Sequence, residues 1–242
     1  MAEQSDVRLS IVVPVLNEVN RLSGIIKTIC ERRDVLDLVV VDASRDKLSF
    51  DYFSSDGLSL LTDYAEKLQI VTALDTGRAS QMNLGANCCN GNVLLFLHAD
   101  TQLSDVNLSV VLKPVVQDSS WGRFDVKMHP TSRLLRLIAR MMNVRSRLTG
   151  IATGDQAIFV SRSAWQKVGG FVNLSLMEDI DICRRLKRLT RPLCLRQKVT
   201  TSSRRWLHVG IMKTILTMWT LRLLFWSGVS TETLSQWYRN VR

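Results

Sequence analysis

The stretch Val93 to Thr101, VLLFLHADT, constrains this chain more than any other. Five apolar residues, Val93 to Leu97, run without a break and give way to His98, Ala99, Asp100 and Thr101. A short unbroken run rich in β-formers reads as a strand covered on both faces, as in the middle of a parallel sheet. Crevices in open α/β sheets lie outside the carboxyl ends of the strands, so a ligand is met where the run turns polar. A carboxylate there either holds a divalent cation against a phosphate-bearing ligand or caps the next helix. Asp100 alone does not choose between the two.

The chain around it repeats the pattern. Leu9 to Val15 is a first strand, ending in Pro14-Val15-Leu16-Asn17-Glu18, and Ile25, Ile26 and Ile29 mark a following helix that Asn17 is placed to cap. Leu36 to Val41 is a second strand, closed by Asp42-Ala43-Ser44, and Leu68 to Leu74 is a third, entering Asp75-Thr76-Gly77-Arg78. Ala79 to Cys89 reads as a helix stopped by Gly91. Strand and helix alternating at this spacing predict parallel βαβ units with right-handed crossovers. Turns after parallel strands share one edge of the sheet, so Asn17-Glu18, Asp42, Arg78 and Asp100 are expected to line one pocket. No GxGxxG follows the first strand and no P-loop sequence occurs, which disfavours dinucleotide and P-loop sites. A nucleotidyltransferase would need a glycine-rich, arginine-containing loop after the first strand, and PVLNEVN offers none.

Beyond Asp100 the pattern loosens. Trp121 to Met128 alternates like a strand with one exposed face, and Ala157 to Val160 is a further strand after the turn Thr149 to Asp155. Met177 to Leu189 is helical, with Glu178 and Asp179 in the first turn, where the helix dipole favours negative charge. In Thr131 to Thr149, Leu134, Leu137, Ile138, Met141, Val144 and Leu148 recur at helical spacing, while Arg133, Arg136, Arg140 and Arg147 take another side and no acid appears. That helix either lies on an anionic membrane surface or packs on the core with its arginines in water. The tail Leu207 to Gly228 is apolar but interrupted by Lys213 and Arg222. It falls short of a spanning helix and reads as an amphipathic helix docked on the core or lying in a membrane interface.

Composition sets the remaining bounds. The 242 residues are 46% hydrophobic and 22% charged, ordinary for a globular chain with one sizeable core. The net charge of +10 is unevenly spread: residues 1–120 carry ten Lys and Arg against sixteen Asp and Glu, a net of −6, and residues 121–242 carry +16. The second half is therefore expected to face an anionic partner, membrane lipid or a phosphorylated substrate. No nucleic-acid partner is expected, because no helix-turn-helix, zinc or RNA-binding signature occurs. The five cysteines form no CxxC pair and read as reduced thiols, and the polar opening MAEQSDVRLS is unlike a secretory signal. A cytoplasmic location is expected, peripheral on the inner face of a membrane if the basic helices touch lipid.

Several segments, taken in order, resemble family 2 glycosyltransferases of the GT-A fold. They are SIVVPVLNE, VVVDAS, GRASQMNLGA at Gly77–Ala86, LHADT, GDQAIFV, VGGF, MEDIDICRRL and SSRRW, running from Ser10 to Trp206. The set is most similar to the radical-SAM/selenodomain-associated, or arsenosugar-biosynthesis, branch. The resemblance implies an α/β fold, Rossmann-like, with a mostly parallel central sheet flanked by helices and a C-terminal amphipathic helix. It implies a GT-A domain over 1–206, divided into a nucleotide-binding half at 1–101 and an acceptor half at 102–206, with an apolar helix and tail over 207–242. It implies a glycosyltransferase using a UDP- or GDP-sugar, Mg²⁺ or Mn²⁺, and a small-molecule or lipid acceptor.

The same resemblance implies roles for single residues. Pro14, Asn17, Glu18 and Asp42 would contact the donor nucleoside, with Arg78, Gln81 and Asn83 beside the nucleotide. Asp100 matches the last acid of the Asp-x-Asp metal signature, whose first acid is replaced by His98, which either lowers metal affinity or serves as a polar ribose contact. Asp179 matches the general base of inverting transfer, and Glu178 a supporting or acceptor-binding acid. Asp155 and Gln156 would be acceptor contacts, or simply a turn before a strand. Arg205 and Trp206 match the end of Gln-x-x-Arg-Trp, with Ser202 where Gln would stand. An inactive GT-A domain serving as a membrane-surface adaptor is the competing reading, favoured only by His98.

Overall fold

The computed structural model describes residues 6–44, 62–103, 107–117 and 120–241. Residues 1–5 of the polar opening lie outside them. The elements in chain order are β1 (Leu9–Val15), α1 (Val19–Cys30), β2 (Asp37–Asp42), β3 (Leu68–Thr72), α2 (Arg78–Cys88), β4 (Val93–Phe96) and β5 (Thr101–Gln102). Then follow α3 (Leu108–Gln117), β6 (Trp121–His129), α4 (Arg133–Thr149), a 3-10 turn at Gly154–Gln156, β7 (Ile158–Ser161), α5 (Arg162–Val168) and α6 (Glu178–Leu186). The chain closes with β8 (Leu193–Ser202), α7 (Arg204–Val209), α8 (Ile211–Trp226) and α9 (Thr231–Val241).

One eight-stranded sheet runs in the order β3-β2-β1-β4-β7-β6-β8-β5. Four of the pairings are parallel, β1 with β2, β1 with β4, β2 with β3 and β6 with β8. Three are antiparallel, β4 with β7, β6 with β7 and β5 with β8. The sheet is mixed and mostly parallel.

The two-residue period of the strands divides the core into two layers. Leu9, Ile11, Val13 and Val15 of β1 join Leu38, Val40 and Leu95 against α1 (Leu22, Ile26, Ile29) and α3 (Leu108, Leu112, Val115). Val12, Val39, Val41, Leu94 and Phe96 face the other way, against α2 (Ala79, Met82, Ala86), α5 (Trp165) and α6 (Ile182, Cys183, Leu186). Each such aliphatic side chain removed from water contributes about 1.5–3 kcal/mol, so strands covered on both faces must be apolar throughout. Helix α2 lies tight on this sheet because Gly85 has no side chain: a Cβ there would come within 2.4 Å of Val12 and 2.9 Å of Val41. A third layer, Leu135, Ile138 and Ala139 of α4 with Trp206, covers Val126 and Met128 of β6.

Several expectations change. Leu74 is fully exposed and β3 stops at Thr72. Strand β6 is not half-exposed: eight-residue alternation of polar and apolar groups is overridden because Arg123 and Asp125 are buried against each other and α4. Asn17 does not cap α1. Its backbone is left-handed (φ +55°) and the N-cap position falls to Glu18. The apolar tail is broken at Gly210 (φ +94°) into α7 and α8. Among the described residues no helix is long and apolar enough to cross a membrane.

Candidate active site

Strand direction gathers the polar groups. β1, β2 and β4 are parallel, and β7 enters from the same edge because it runs opposite to β4. β6 and β8 run opposite to β7, so β8 ends on that edge as well. The segments Leu16–Glu18, Asp42–Ser44, His98–Asp100, Gly154–Gln156 and Ser203–Arg205 are brought to one rim. Pro14 suits its place there. Val12 O accepts from Leu97 N and Val15 O from Ala43 N, so Pro14 faces the β4 side, beyond the last β1–β4 pair, where no ladder hydrogen is needed. Asn17 N donates to Ser44 Oγ at 2.8 Å, and Ser44 donates from Oγ and N to Asp42 Oδ1 at 2.6 and 2.9 Å. This chain of bonds ties the ends of β1 and β2 together.

At the centre of the rim stand His98, Asp100 and Asp155. One potential ligand atom from each lies within 4.8 Å of the others, and His98 Nδ1 is 3.5 Å from an Asp155 carboxylate oxygen. Asp155, from the turn before β7, brings a carboxylate beside the imidazole at position 98. An oxygen-rich set with one imidazole fits a divalent cation such as Mg²⁺ or Mn²⁺. Burial opposes ionisation of Asp155, but the His98 hydrogen bond and charge, with Arg205 and Arg78, hold its pKa down at about 2. The imidazole fits because residue 154 is glycine: a Cβ there would lie 2.2 Å from His98 Nε2. Asp100 is placed by β5, whose Thr101 pairs with Thr201 of β8.

A small cleft joins this cluster to the start of α6, lined by Met82, Phe96, His98, Gly154, Ile158, Phe171, Glu178 and Asp179. Asp179 Oδ2 accepts from Gly154 N at 3.1 Å and Oδ1 from Ile180 N at 2.8 Å, which fixes its carboxylate beside the turn that carries Asp155. Glu178 is buried, and burial followed by the charge of Asp179 raises its pKa. Arg78, at the first position of α2, is open to solvent; desolvation works to lower its pKa, but Glu178, Asp155, Asp179 and Tyr238 together raise it. Arg205 Nη1 donates to the Tyr238 hydroxyl at 2.8 Å. The three non-glycine residues with left-handed backbone among those described, Asn17, Ala157 and Met177, all adjoin this site. Strained backbone of this kind persists where surrounding structure enforces it.

Four residues expected in the site are occupied elsewhere. Gln81 is buried and both Nε2 hydrogens are taken, by Val15 O (2.7 Å) and Val41 O (2.8 Å), so it braces two strand ends. Asn83 clamps the backbone of Phe171, donating to its O at 2.7 Å and accepting from its N at 2.8 Å. Gln156 is fully buried, its amide donating to Ser146 Oγ (3.0 Å) and Asn143 Oδ1 (3.3 Å) on α4. Trp206 is a core residue beneath α4. Conversely, Arg145, Arg222 and Tyr238 were not singled out as site residues. Burial and then mutual repulsion lower Arg145, to about 10, and burial lowers Arg222; both feel the charge of Asp179. The one available signal was Arg222, which with Lys213 interrupts an otherwise apolar helix.

Solved structures of similar fold include nucleotide and Mn²⁺ complexes. A mannosyltransferase from Pyrobaculum calidifontis, in complex with GDP-Man and Mn²⁺, superposes with a TM-score of 0.60 at 18% identity over 81% of this chain and 56% of its own. GalNAc-T7 with UDP, GalNAc and Mn²⁺ gives 0.62 at 13% over 82% and 44%. S. aureus TarS gives 0.59 at 15% over 86% and 39%. The chain thus spans about half the length of these proteins or less, and at such identities the likeness shows the fold, which is that of GT-A glycosyltransferases. The chain matches no curated protein. The sequence profile of glycosyl transferase family 2 matches residues 10–165, well over half of the chain, and this protein belongs to that family.

Proposed function

We propose that the chain is a metal-dependent inverting glycosyltransferase that moves a sugar from a UDP- or GDP-sugar to an acceptor hydroxyl. The observation that carries this reading is the His98–Asp100–Asp155 cluster adjoining, through His98, the cleft that Asp179 lines. A Mg²⁺ or Mn²⁺ held by those three residues would neutralise charge growing on the diphosphate leaving group. Arg78 and Arg205 add positive charge on the same side, and Asn17, Glu18 and Asp42 at the ends of β1 and β2 face the nucleoside. Asp179 takes the proton of the attacking hydroxyl, its carboxylate oriented by Gly154 N–H. A base on the face opposite the leaving group makes the displacement in-line and inverts the anomeric centre. Glu178, whose pKa burial and the charge of Asp179 raise, serves as a supporting or acceptor-binding acid.

Mn²⁺-bearing complexes with GDP-Man, and with UDP and GalNAc, among the structural neighbours support the donor class. The ordered motifs from Ser10 to Trp206 support the radical-SAM/selenodomain-associated branch, with a small-molecule or lipid acceptor, and the basic second half supports an anionic partner for a protein of the cytoplasm.

The test is calorimetric titration of UDP- and GDP-sugars with and without Mn²⁺, followed by slow donor hydrolysis as the turnover readout. Asp179→Asn is expected to bind donor normally and lose about 10²–10⁴-fold in hydrolysis. Asp100→Ala is expected to lose the Mn²⁺-dependent part of binding. Silence with every donor, or full turnover by Asp179→Asn, would overturn the reading.

A further inference from the structure

Helices α4 and α8 leave two apolar stripes uncovered. On α8 the large residues Met212, Leu216, Trp219, Leu223 and Trp226 follow a spacing of four, three, four and three, and each is 62–67% exposed. On α4 Leu134, Leu137, Met141, Val144 and Leu148 keep the complementary spacing and are 45–81% exposed. Ten such side chains in water are more than a monomer ordinarily tolerates in one patch.

The two stripes lie on the same side of the molecule. Ile211 and Ile215 of α8 pack on the cluster containing Ile138 of α4, and Arg145 of α4 faces Arg222 of α8. With about 100° between successive residues of a helix, Ile138 and Arg145 separate the buried side of α4 (Leu135, Ala139, Asn143, Ser146) from its apolar exposed stripe. Ile211, Ile215 and Arg222 do the same on α8, whose buried side is Thr214, Thr217 and Leu221. Both stripes therefore flank the outer side of one seam.

Charge borders this face. Arg133, Arg136, Arg140 and Arg147 line the flank of α4 away from the seam, Lys213 the far flank of α8, and Arg184 sits 5.8 Å from the ring of Trp226. Neither helix carries an acid. An apolar centre with indole rings, rimmed by cations, matches the boundary between acyl chains and anionic headgroups. A second copy of the chain would bring like charges against these cations.

We propose that the α4–α8 face is a docking surface for an anionic lipid bilayer, entered by the two apolar stripes with the arginines held at headgroup level. This end of the face lies near the cleft: Arg222, next to Leu223 in sequence, feels the charges of Asp179 and Asp155. Docking thus sets the carboxylates close above the lipid, and an acceptor carried by a lipid reaches them without leaving the bilayer. This last step rests on the proposed glycosyl transfer; the docking does not.

The experiment is co-sedimentation of the full chain with phosphatidylcholine vesicles, with and without phosphatidylglycerol, together with tryptophan quenching by brominated lipid. At least about tenfold tighter binding to the anionic vesicles is expected, falling steeply with salt, with quenching that is lost in a Trp219→Phe/Trp226→Phe double variant. Leu216→Glu with Leu223→Glu should abolish binding, and Arg136→Glu with Arg140→Glu should remove the anionic preference, while circular dichroism and donor binding match the parent. Equal or absent binding to both vesicle types overturns the proposal. So does a dimer in sedimentation velocity that the Leu216→Glu/Leu223→Glu variant dissociates. Vesicle binding without donor binding would leave docking standing and refute the transfer reading alone.

Discussion

Gly154→Ala tests how tightly the site is built. A Cβ at this position would stand 2.2 Å from His98 Nε2 and 2.3 Å from Cε1, where ordinary contact begins at 3.4 Å, so the imidazole must retreat by about 1.2 Å. Gly154 does not have the left-handed backbone that penalises alanine, and its N–H to Asp179 survives the change. The cost falls on His98 and its 3.5 Å contact with Asp155. Even the loss of a group that only orients a metal ligand typically costs 10–100-fold in affinity, and His98 is itself one of the three residues that would hold the ion, so Mn²⁺ titrated in the presence of nucleotide should bind at least about 10–100-fold more weakly. Thermal melting should change little. Because the clash acts through the imidazole, Gly154→Ala should cost almost nothing further in a His98→Ala background, a double-mutant cycle with strong coupling. Unchanged Mn²⁺ affinity, or an equal loss without His98, would refute the reasoning.

Other substitutions probe the surrounding frame. Burial and then the charge of Asp179 raise the Glu178 pKa, so its contribution to stability is present below the ordinary Glu range near pH 4.3 and is lost as pH climbs through the raised value. Glu178→Gln has no such loss, and its melting temperature relative to the parent should rise with pH; a constant difference from acid to neutral would contradict the burial argument. Gln156→Ala removes the buried amide's bonds to Ser146 Oγ, Asn143 Oδ1 and Thr153 N and should destabilise by about 1–3 kcal/mol in urea denaturation. Asn83→Ala frees both backbone groups of Phe171, whose ring lies 4.8 Å from Phe96 beside the cleft, and faster hydrogen exchange at the Phe171 amide is expected.

The parts of this fold that could be read from the chain are those where covering on both faces leaves no choice of residue. β4 is an unbroken apolar run, and β1 is one apart from Ser10, because both of their faces meet helices, and the carboxylates at their ends follow from strand direction. β6 departs from its alternating pattern because Arg123 and Asp125, besides pairing with each other, meet Asn143 and Arg147 of α4, which are remote in sequence. The same limit explains Gln81, Asn83 and Gln156. Their motif positions are legible, but whether an amide turns to a ligand or to a neighbouring strand is decided by tertiary contacts. Arg145 and Arg222 were missed as site residues for the converse reason. Each sits in a helix whose amphipathic pattern concerns packing, and only the meeting of α4 and α8 turns them toward Asp179.

The left-handed backbone at Asn17, Ala157 and Met177 has an evolutionary corollary. L-residues held in that region are disfavoured by about 1–2 kcal/mol, less for asparagine, relative to glycine. Selection for heat resistance alone would favour glycine at 157 and 177, and would loosen the hinges that set Asp155 and Asp179. A heat-adapted descendant that keeps its side chains there betrays a demand other than endurance.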